Sequence, residues 1–491
     1  MVRALGLREA ITITVGTVVG VGLFTVGANA IGWMGPAIIL ATLVAFLVSV
    51  YPALMYAEMG AALPFAGGTY NFATEGLGKL WGTLAGWNFV ISLVAVATGE
   101  SLAFSNYFKW MMEGLGVPLA IDERIIAGAL LVIFTLINWR GIKLAGVWQN
   151  IFVFFFWGAA TVWFIIMIPN LLTENFRPLV PLPGTGWREF ILATSLVWWC
   201  FAGFETAVAM GEEISFPKIN IPRAMFLAPL IVFVVNAFFQ WFLVAIMPKG
   251  ELTALQEASA PYAEGMRMAG IAGIPFVLLC LAIAFGGDLS TINPSIGAPA
   301  RYLFGMARDG VLPPVFGRLH PRYKTPDFAI WFLGLAMLLL VSTGSIIYVA
   351  SVSLFADLAY YIIGFVAAIG LRLKRPDLPR PYKAPALIPG AIISIIIYLI
   401  MMTQLPREGI WTGLIWLALG IIFYLVWTNT PAGRAAIKLS SSGPMKTSEG
   451  LPDPTPEERK RMDREYRLWW AVFGCLFVAV VALYAIPALI K

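Results

Sequence analysis

The sequence predicts an all-α integral membrane protein with twelve membrane-spanning helices and a thirteenth near the C-terminal end. Hydrophobic residues make up 59% of the 491 residues, charged residues make up 12%, and the mean hydropathy is +0.82. A spanning helix needs about 20 apolar residues. Twelve such runs are centred near residues 20, 46, 95, 131, 158, 201, 236, 285, 337, 361, 396 and 419.

The apolar runs divide the chain into a core and a C-terminal extension. Residues 1–430 are predicted to form the twelve-helix core, residues 431–467 a linker with a short charged helix, and residues 468–490 the additional spanning helix. A capping box, with Thr455 as N-cap and Glu458 three residues later, predicts where the charged helix begins. Its charges are expected to face solvent close to the membrane, and a lipid-binding role is the alternative.

The distribution of Lys and Arg predicts the orientation of the chain. With the N-terminus inside, most of the 33 Lys and Arg residues fall in inner loops and tails, as cytoplasmic segments require. The protein is therefore expected in the cell membrane, surrounded by lipid, with a cytoplasmic N-terminus. The net charge of +6 follows from the same bias, so no nucleic acid partner is expected. The pattern does not predict an oligomeric state.

Cysteine and histidine usage argues against an enzyme or a metal protein. Cys200, Cys280 and Cys475 all lie within apolar runs, which provides neither a disulfide framework nor metal-ligand spacing. The single histidine, His320, lies in a basic loop, so hydrolytic chemistry lacks its usual base. An intramembrane aspartyl protease would need two paired aspartates, one of them typically in a G-x-G-D motif. Asp288 ends the stretch "AFGGD", which does not have that spacing of glycines. No catalytic residue and no cofactor other than a coupling ion is predicted.

The first apolar run contains four glycines within "GTVVGVGLFTVG". Each glycine weakens a helix by roughly 0.5–1 kcal/mol relative to alanine. Gly16 and Gly20 have the spacing of a close helix contact, but Gly22 follows directly and favours an interruption of the helix. The sixth run, "LVWWCFAGFETAVAMGEE", has its own interruption at Ala202 and Gly203.

The first and sixth runs are equivalent if the first ten spans form two repeats of five, about 9–170 and 190–373. Paired interruptions of this kind mark the binding site of a secondary transporter. Unwinding exposes amide groups at one half-helix end and carbonyl groups at the other. These ends suit the carboxylate and the ammonium of a zwitterion, and unpaired backbone is tolerated at membrane depth where it lines a cavity. The sequence therefore predicts a small-molecule site between the two interruptions.

Four acidic residues lie inside the apolar runs: Glu100, Glu205, Asp288 and Asp357. The first ten runs contain no Lys or Arg to pair with them. An acid at the centre of a spanning helix costs at least about 2.5–3.5 kcal/mol, so each is a candidate functional residue. Their excess favours a cationic guest, which is an amine, a proton or a sodium ion. A protonated acid, or a position nearer the membrane surface, is the alternative for each of them.

Five motifs resemble those of the amino acid-polyamine-organocation (APC) transporters. They are "GTVVGVGLF", "YAEMGAALPFAGGTYNFA", "INWRGIKLAGVWQN", "FAGFETAVAMGEEISFPKINIPRA" and "ARYLFGMARDGVLPPVFGRLHPRYKTP", and they cover residues 5 to about 430. The resemblance implies a five-plus-five inverted repeat of the leucine-transporter type, with broken helices 1 and 6 and two further helices. It also implies alternating access around a midplane site and a substrate drawn from amino acids, polyamines and small amines.

The resemblance implies that amides at the first interruption receive a substrate carboxylate and that carbonyls of the first and sixth helices receive the amine. Val21 stands where relatives often have Ser or Thr, which removes a hydroxyl contact. Trp199 matches an aromatic gate of some relatives, and simple packing is its alternative role. The predicted substrate-binding residues are Gly20, Val21, Gly22, Glu100, Trp199, Phe201, Ala202, Gly203, Phe204 and Glu205.

The resemblance also implies a place for a coupling ion. In the family's sodium-type site, carbonyls of the first helix face hydroxyls of the eighth, and such oxygen ligands suit a hard cation. Hydrogen bonding of these hydroxyls to their own helix is the alternative. Some proton-coupled relatives carry a lysine at the position of Phe156, so a lysine-based proton switch is not expected. The predicted coupling-ion residues are Gly16, Val19, Asp288, Ser290 and Thr291.

The sequence thus predicts a secondary active transporter that moves an amino acid or a small cationic amine by alternating access, coupled to Na⁺ or H⁺. An uncoupled exchanger and a transporter-like sensor remain as alternatives, because a fold does not fix a function. A sensor would bind the substrate without moving it.

Overall fold

The computed structural model describes residues 3, 5–11, 20–65, 67–203, 205, 208, 211–248, 250–440 and 447–489. These residues form helices and loops, and their only β pairing is an isolated parallel bridge between Leu5 and Ile214. The predicted all-α fold class is therefore confirmed. Within the described ranges, seven helices are long and apolar enough to cross a membrane, and three shorter apolar helices accompany them.

The first five spans follow the predicted order. The first span is helical at residues 7–11 and resumes after a bend at Gly20 as four short segments. These are a π-helix, two α-helical segments and a 3₁₀ turn: Gly22–Val26, Gly27–Asn29, Ile31–Met34 and Gly35–Ala37. The second to fifth spans are Ile38–Ala62, Lys79–Gly114, Glu123–Arg140 and Ile142–Met167, with the helix Gly68–Leu77 between the second and third.

The sixth span is helical from Trp187 to Trp199 and then breaks. The eighth span also departs from a regular α-helix, because a π-helical stretch interrupts it. The seventh, eighth, ninth and tenth spans are Pro217–Ile246, Ile274–Leu281 with Ala282–Asp288 (π) and Leu289–Arg308, Asp327–Val341, and Ile346–Lys374. The eleventh and twelfth are Leu387–Thr403 and Arg407–Asn429, followed by the helix Pro431–Ser440. Short helices in the connections are Ile168–Asn170, Thr173–Phe176, Leu252–Gln256, Pro261–Met268 and Pro314–Gly317.

Small residues allow the spans to approach one another closely. The third span packs against both the eighth and the tenth, and the second packs along the seventh. A Cβ at Gly60 of the second span would lie 2.9 Å from methyl groups of Val208 and Ile221. A Cβ at Gly370 of the tenth span would lie 2.7 Å from the carbonyl oxygen of Gly76. Glycine at these positions is therefore required for close packing of the spans.

Hydrogen bonds of charged side chains connect distant segments of the chain near the N-terminal segment. The guanidinium of Arg3 donates to the carbonyl oxygens of Gly211 (2.7 Å) and Ile214 (3.0 Å). The buried Glu58 of the second span accepts hydrogen bonds from Arg372 and Arg380 in and after the tenth span. These contacts join the N-terminal segment to residues after the sixth-span turn, and the second span to the tenth.

The thirteenth span is one continuous helix, Pro456–Leu489, that includes the charged segment. The predicted capping box is confirmed, since Thr455 N–H donates to Glu458 (2.8 Å) and Glu458 N–H donates to the Thr455 hydroxyl (3.3 Å). The apolar part lies along the seventh span, where the Tyr484 hydroxyl donates to the carbonyl of Ala237 (2.9 Å).

The charged part of this helix does not simply face solvent. Asp463 forms an ion pair with Arg223 of the seventh span, and the Arg223 guanidinium lies 4.8 Å above the Tyr466 ring. Most of this charged segment is exposed, as expected, and Asp463 keeps 41% of its side chain exposed while it pairs with the partly buried Arg223. The thirteenth helix is held to the seventh at both ends.

Candidate functional site

The interruption of the first span begins at a bend. The carbonyl oxygen of Gly20 accepts hydrogen bonds from the amides of both Leu23 and Phe24, each at 3.0 Å. The π-helix Gly22–Val26 follows, and π-helical turns inside α-helices frequently mark functional sites. Gly16 and Val19, which the family resemblance assigns to an ion site, lie outside the described residues.

Glu100 of the third span reaches this bend. Its carboxylate accepts a hydrogen bond of 2.9 Å from the backbone N–H of Val21, and its side chain is buried. A Cβ at Gly20 would collide with the same carboxyl group. Glycine at position 20 therefore makes room for Glu100, and the carboxylate caps the positive end of the half-helix that starts here.

This contact changes the interpretation of the amides of Gly20, Val21 and Gly22, which the family resemblance implies would receive a substrate carboxylate. In this conformation the protein's own carboxylate occupies the Val21 amide, at a place that the resemblance reserves for a substrate carboxylate. Gly22 has another neighbour, because a Cβ there would lie 3.5 Å from the Cys200 sulfur. The first and sixth spans therefore touch directly at Gly22 and Cys200.

The sixth-span helix ends at Trp199 and continues as tight turns. Gly203 has a positive φ of 102°, a conformation that favours glycine. Glu205 is buried, and its carboxylate accepts hydrogen bonds from the Gly203 amide (3.2 Å) and from the Tyr361 hydroxyl. Glu205 thus braces the turn and ties it to the tenth span. Phe201 is buried and Ala202 is partly exposed, and Phe204 lies outside the described residues.

A polar stripe on the tenth span faces this turn. Ser353, Asp357 and Tyr361 are spaced four residues apart, which places them on one helix face. The Trp199 indole N–H donates to the Ser353 hydroxyl (3.0 Å), and the Ser92 hydroxyl of the third span donates to Asp357 (2.6 Å). Of the three, the sequence pointed only to Asp357, although the four-residue spacing of polar side chains in an apolar run was a visible signal for Ser353 and Tyr361.

Asp288 ends the π-helical stretch of the eighth span and is fully buried. Its carboxyl group faces that of Glu100. Neither carboxyl oxygen of Asp288 has a hydrogen-bond partner among the described residues. Two buried carboxyl groups side by side disfavour double ionisation, so a proton or another cation between them is the favourable state.

The predicted hydroxyl ligands follow Asp288 on the same span. Ser290 and Thr291 are both buried. The Ser290 hydroxyl donates to the carbonyl oxygen of Gly287 (2.7 Å), within its own helix. This hydrogen bond uses the hydroxyl proton. The lone pairs of the Ser290 oxygen are then the groups with which it could coordinate a cation.

Phe156 fills the place that a lysine takes in some relatives. Its ring centroid lies 5.4 Å from that of Phe24 and 5.9 Å from that of Phe239. A Cβ at Gly286 would lie 2.6 Å from the Phe156 Cβ, so the fifth and eighth spans touch backbone to side chain here. An aromatic cluster, and not a cation, therefore lies beside this part of the eighth span.

Gly99 of the third span lies next to side chains of three other spans. A Cβ at Gly99 would meet Val21, Val349 and Trp199 at 3.6, 3.8 and 3.9 Å, all ordinary van der Waals distances. These side chains come from the first, tenth and sixth spans and give the site an apolar wall next to Glu100. Among the described residues, no group of three or more His, Cys, Asp and Glu side chains is arranged to hold a metal ion.

Comparison with known proteins identifies relatives over most of the chain. The sequence profile of the amino acid permease family matches residues 5–426. The branched-chain amino acid permease BcaP of Bacillus subtilis (strain 168) is 26% identical, over 87% of this chain and 93% of that protein. The methylthioribose transporter of the same organism is 26% identical, over 87% and 94%. The human large neutral amino acids transporter small subunit 2 is 28% identical, over 86% and 78%.

Proposed function

Because this chain belongs to the amino acid permease family, a family of multi-pass membrane transporters and not of enzymes, we propose that it is a cation-coupled secondary transporter. It moves an amino acid or a small cationic amine across the cell membrane by alternating access, with its N-terminus in the cytoplasm. The observation that carries the proposal is the buried Glu100, which accepts a hydrogen bond from the Val21 amide and lies near the Asp288 carboxyl group.

The substrate site lies between the interruptions of the first and sixth spans. Val21, Val349 and Trp199 form its apolar wall around Gly99. Such a wall suits an aliphatic or aromatic side chain of an amino acid, while backbone carbonyl groups at the two interruptions would accept the ammonium group. The names of the relatives support a small organic substrate, since they include branched-chain amino acids, large neutral amino acids and methylthioribose.

Glu100 and Asp288 are the proposed site of the coupling cation. Neither carboxyl group forms an ion pair with a described Lys or Arg. A cation between them would offset the cost of a buried negative charge. Proton binding needs only the two carboxyl groups, whereas sodium would take further oxygen ligands from Ser290, Thr291 and the backbone.

The coupling follows from the position of Glu100. When a cation binds to the acid pair, the charge of Glu100 is shared with it, and the hydrogen bond to the Val21 amide weakens. The amide then becomes available to a substrate carboxylate. Substrate and cation would each raise the affinity of the other by the same factor, as thermodynamic linkage requires.

Transport by the purified protein in proteoliposomes tests this proposal. A thermal-shift screen with amino acids, polyamines and ethanolamine, with and without sodium, first identifies a ligand. Uptake of that ligand is then measured under an imposed sodium or pH gradient. Stimulation by one gradient supports symport. Indifference to both, with exchange against internal substrate, would favour an uncoupled exchanger, and binding without flux would favour a sensor.

A further inference from the structure

A cavity of about 540 Å³ lies apart from the substrate site, at the end of the molecule that holds the N-terminal segment. The start of the seventh span, the loop after the tenth span and the C-terminal segment enclose it. Its polar and aromatic lining consists of Lys218, Arg223, Tyr382, Asp453, Arg459 and Tyr466.

The lining cations outnumber the carboxylates that pair with them, since Lys218 pairs with Asp453, and Arg223 and Arg459 both pair with Asp463. Arg223 is only 9% exposed and pairs with Asp463 through Nη2. Its other terminal nitrogen, Nη1, is buried and has no hydrogen-bond partner among the described residues. A buried guanidinium N–H without an acceptor is rare in folded proteins, and it indicates a missing anionic or carbonyl partner.

The helix that contributes Lys218 and Arg223 adds to this positive charge. The seventh span begins at Pro217 and is 30 residues long. Its first turn therefore lies at the cavity, and the positive end of its dipole favours an anion there.

An apolar segment begins next to the cavity on the thirteenth helix. Tyr466 of its lining is followed within one helical turn by Leu468 and Trp470, which are 64% and 42% exposed. Exposed tryptophan at the start of an apolar helix is typical of the membrane interface. The preceding segment "ERKRMDREYR" holds five basic residues, a juxtamembrane density associated with anionic lipid.

We propose that this cavity binds the phosphate group of an anionic phospholipid from the leaflet on the side of the N-terminus. Lys218 and Arg459 approach the phosphate from the rim, and Arg223 adds its charge from the buried side. The bound lipid fastens the C-terminal segment to the seventh span. This site is separate from the proposed transport site, because none of its lining residues belongs to the interruptions of the first and sixth spans.

Lipid counting by native mass spectrometry tests the site. Full-length protein is stripped of lipid in detergent and titrated with phosphatidylglycerol or with phosphatidylcholine. We expect preferential retention of phosphatidylglycerol, and about fivefold weaker retention in Arg459→Gln, as expected for one basic side chain near an anionic headgroup. Lys460→Gln is the matched control, because Lys460 is exposed on the same helix and does not line the cavity.

Arg459→Gln keeps the test independent of folding, since its side chain is 51% exposed. Equal retention of the two lipids by the unmodified protein, or an equal loss in the Lys460→Gln control, would overturn the proposal. Inorganic phosphate is the second probe. If it raised thermal stability as much as phosphatidylglycerol does, the ligand would be a soluble phosphate and the lipid assignment would be wrong.

Discussion

The carboxylate of Glu100 lies 2.9 Å from the backbone nitrogen of Val21, a residue 79 positions away in the chain. The same carboxyl group faces Asp288 on the eighth span. Glu100 therefore lies between the interrupted first span and Asp288, whose carboxyl oxygens have no hydrogen-bond partner among the described residues. A change in the charge of Glu100 would therefore change the strength of its hydrogen bond with the Val21 amide.

The first prediction concerns Glu100→Gln. Glutamine keeps the size of the side chain and an acceptor for the Val21 amide but removes the titratable charge. Uptake should lose its response to the driving gradient, by a factor within the range of about 5- to 150-fold that is typical of coupled sites. Glu113→Gln on the same span is the control, because Glu113 is half exposed and pairs only with Arg267. A normal gradient response in Glu100→Gln would contradict the assignment.

A second prediction uses two neighbouring glycines. Alanine at Gly20 would push the Glu100 carboxyl group away from the Val21 amide, whereas alanine at Gly22 would meet the Cys200 sulfur at 3.5 Å, an ordinary contact. Gly20→Ala should therefore reproduce the transport defect of Glu100→Gln, and Gly22→Ala should transport nearly normally. Proteoliposome uptake compares the two variants. Equal behaviour of both would show that glycine at position 20 serves backbone flexibility and not the fit of Glu100.

The third prediction distinguishes the coupling ions at Asp288. If sodium binds between the two acids, Asp288→Asn should abolish the sodium dependence of substrate affinity and leave weak residual binding. If a proton binds, uptake by the unmodified protein should ignore sodium, collapse when the pH gradient is dissipated, and become insensitive to that gradient in the variant. Binding and uptake under imposed gradients separate these outcomes. Unchanged coupling in Asp288→Asn would remove Asp288 from the mechanism.

A fourth prediction treats Glu205 as a brace for the sixth-span turn. Its carboxylate already accepts hydrogen bonds from Gly203 and Tyr361. Glu205→Gln and Tyr361→Phe should each lower stability by about 1–2 kcal/mol, and the double variant should lose less than the sum. Affinities for diamines and for neutral amino acids should fall equally. A selective loss of diamine binding would instead assign Glu205 to recognition of a second ammonium group.

The fifth prediction concerns the pH dependence of C-terminal docking. The hydrogen bond from Arg223 holds the pKa of Asp463 below its usual range. A depressed folded-state pKa stabilises the protein above the unfolded value of about 3.9, and this stabilisation is lost as the pH falls through the folded value. Asp463→Asn should therefore lower the melting temperature by the same small amount at pH 8 and at pH 5. A difference that vanishes between these values would contradict the pairing.

The sequence by itself determined the membrane location, the helical class and the order of the spans. Each depends on the length and polarity of local runs, and a run of about 20 apolar residues has few alternatives to a spanning helix. A glycine within the sixth apolar run predicted an interruption at Ala202 and Gly203. In the structure the helix ends nearby at Trp199, and Gly203 has a positive φ. The four buried acids were visible for the same reason, since a charge stands out against an apolar segment.

Only the tertiary structure decided which of these acids act together. Glu100 and Asp288 lie on different spans, and Glu205 and Asp357 turn instead toward Tyr361 and Ser92. Spacing along one helix predicts which residues share a face, but not which face of another helix lies opposite. Which helix faces lie opposite each other depends on how closely whole spans pack. Gly60 and Gly286 permit such close packing, but the sequence around them does not show which span is the neighbour.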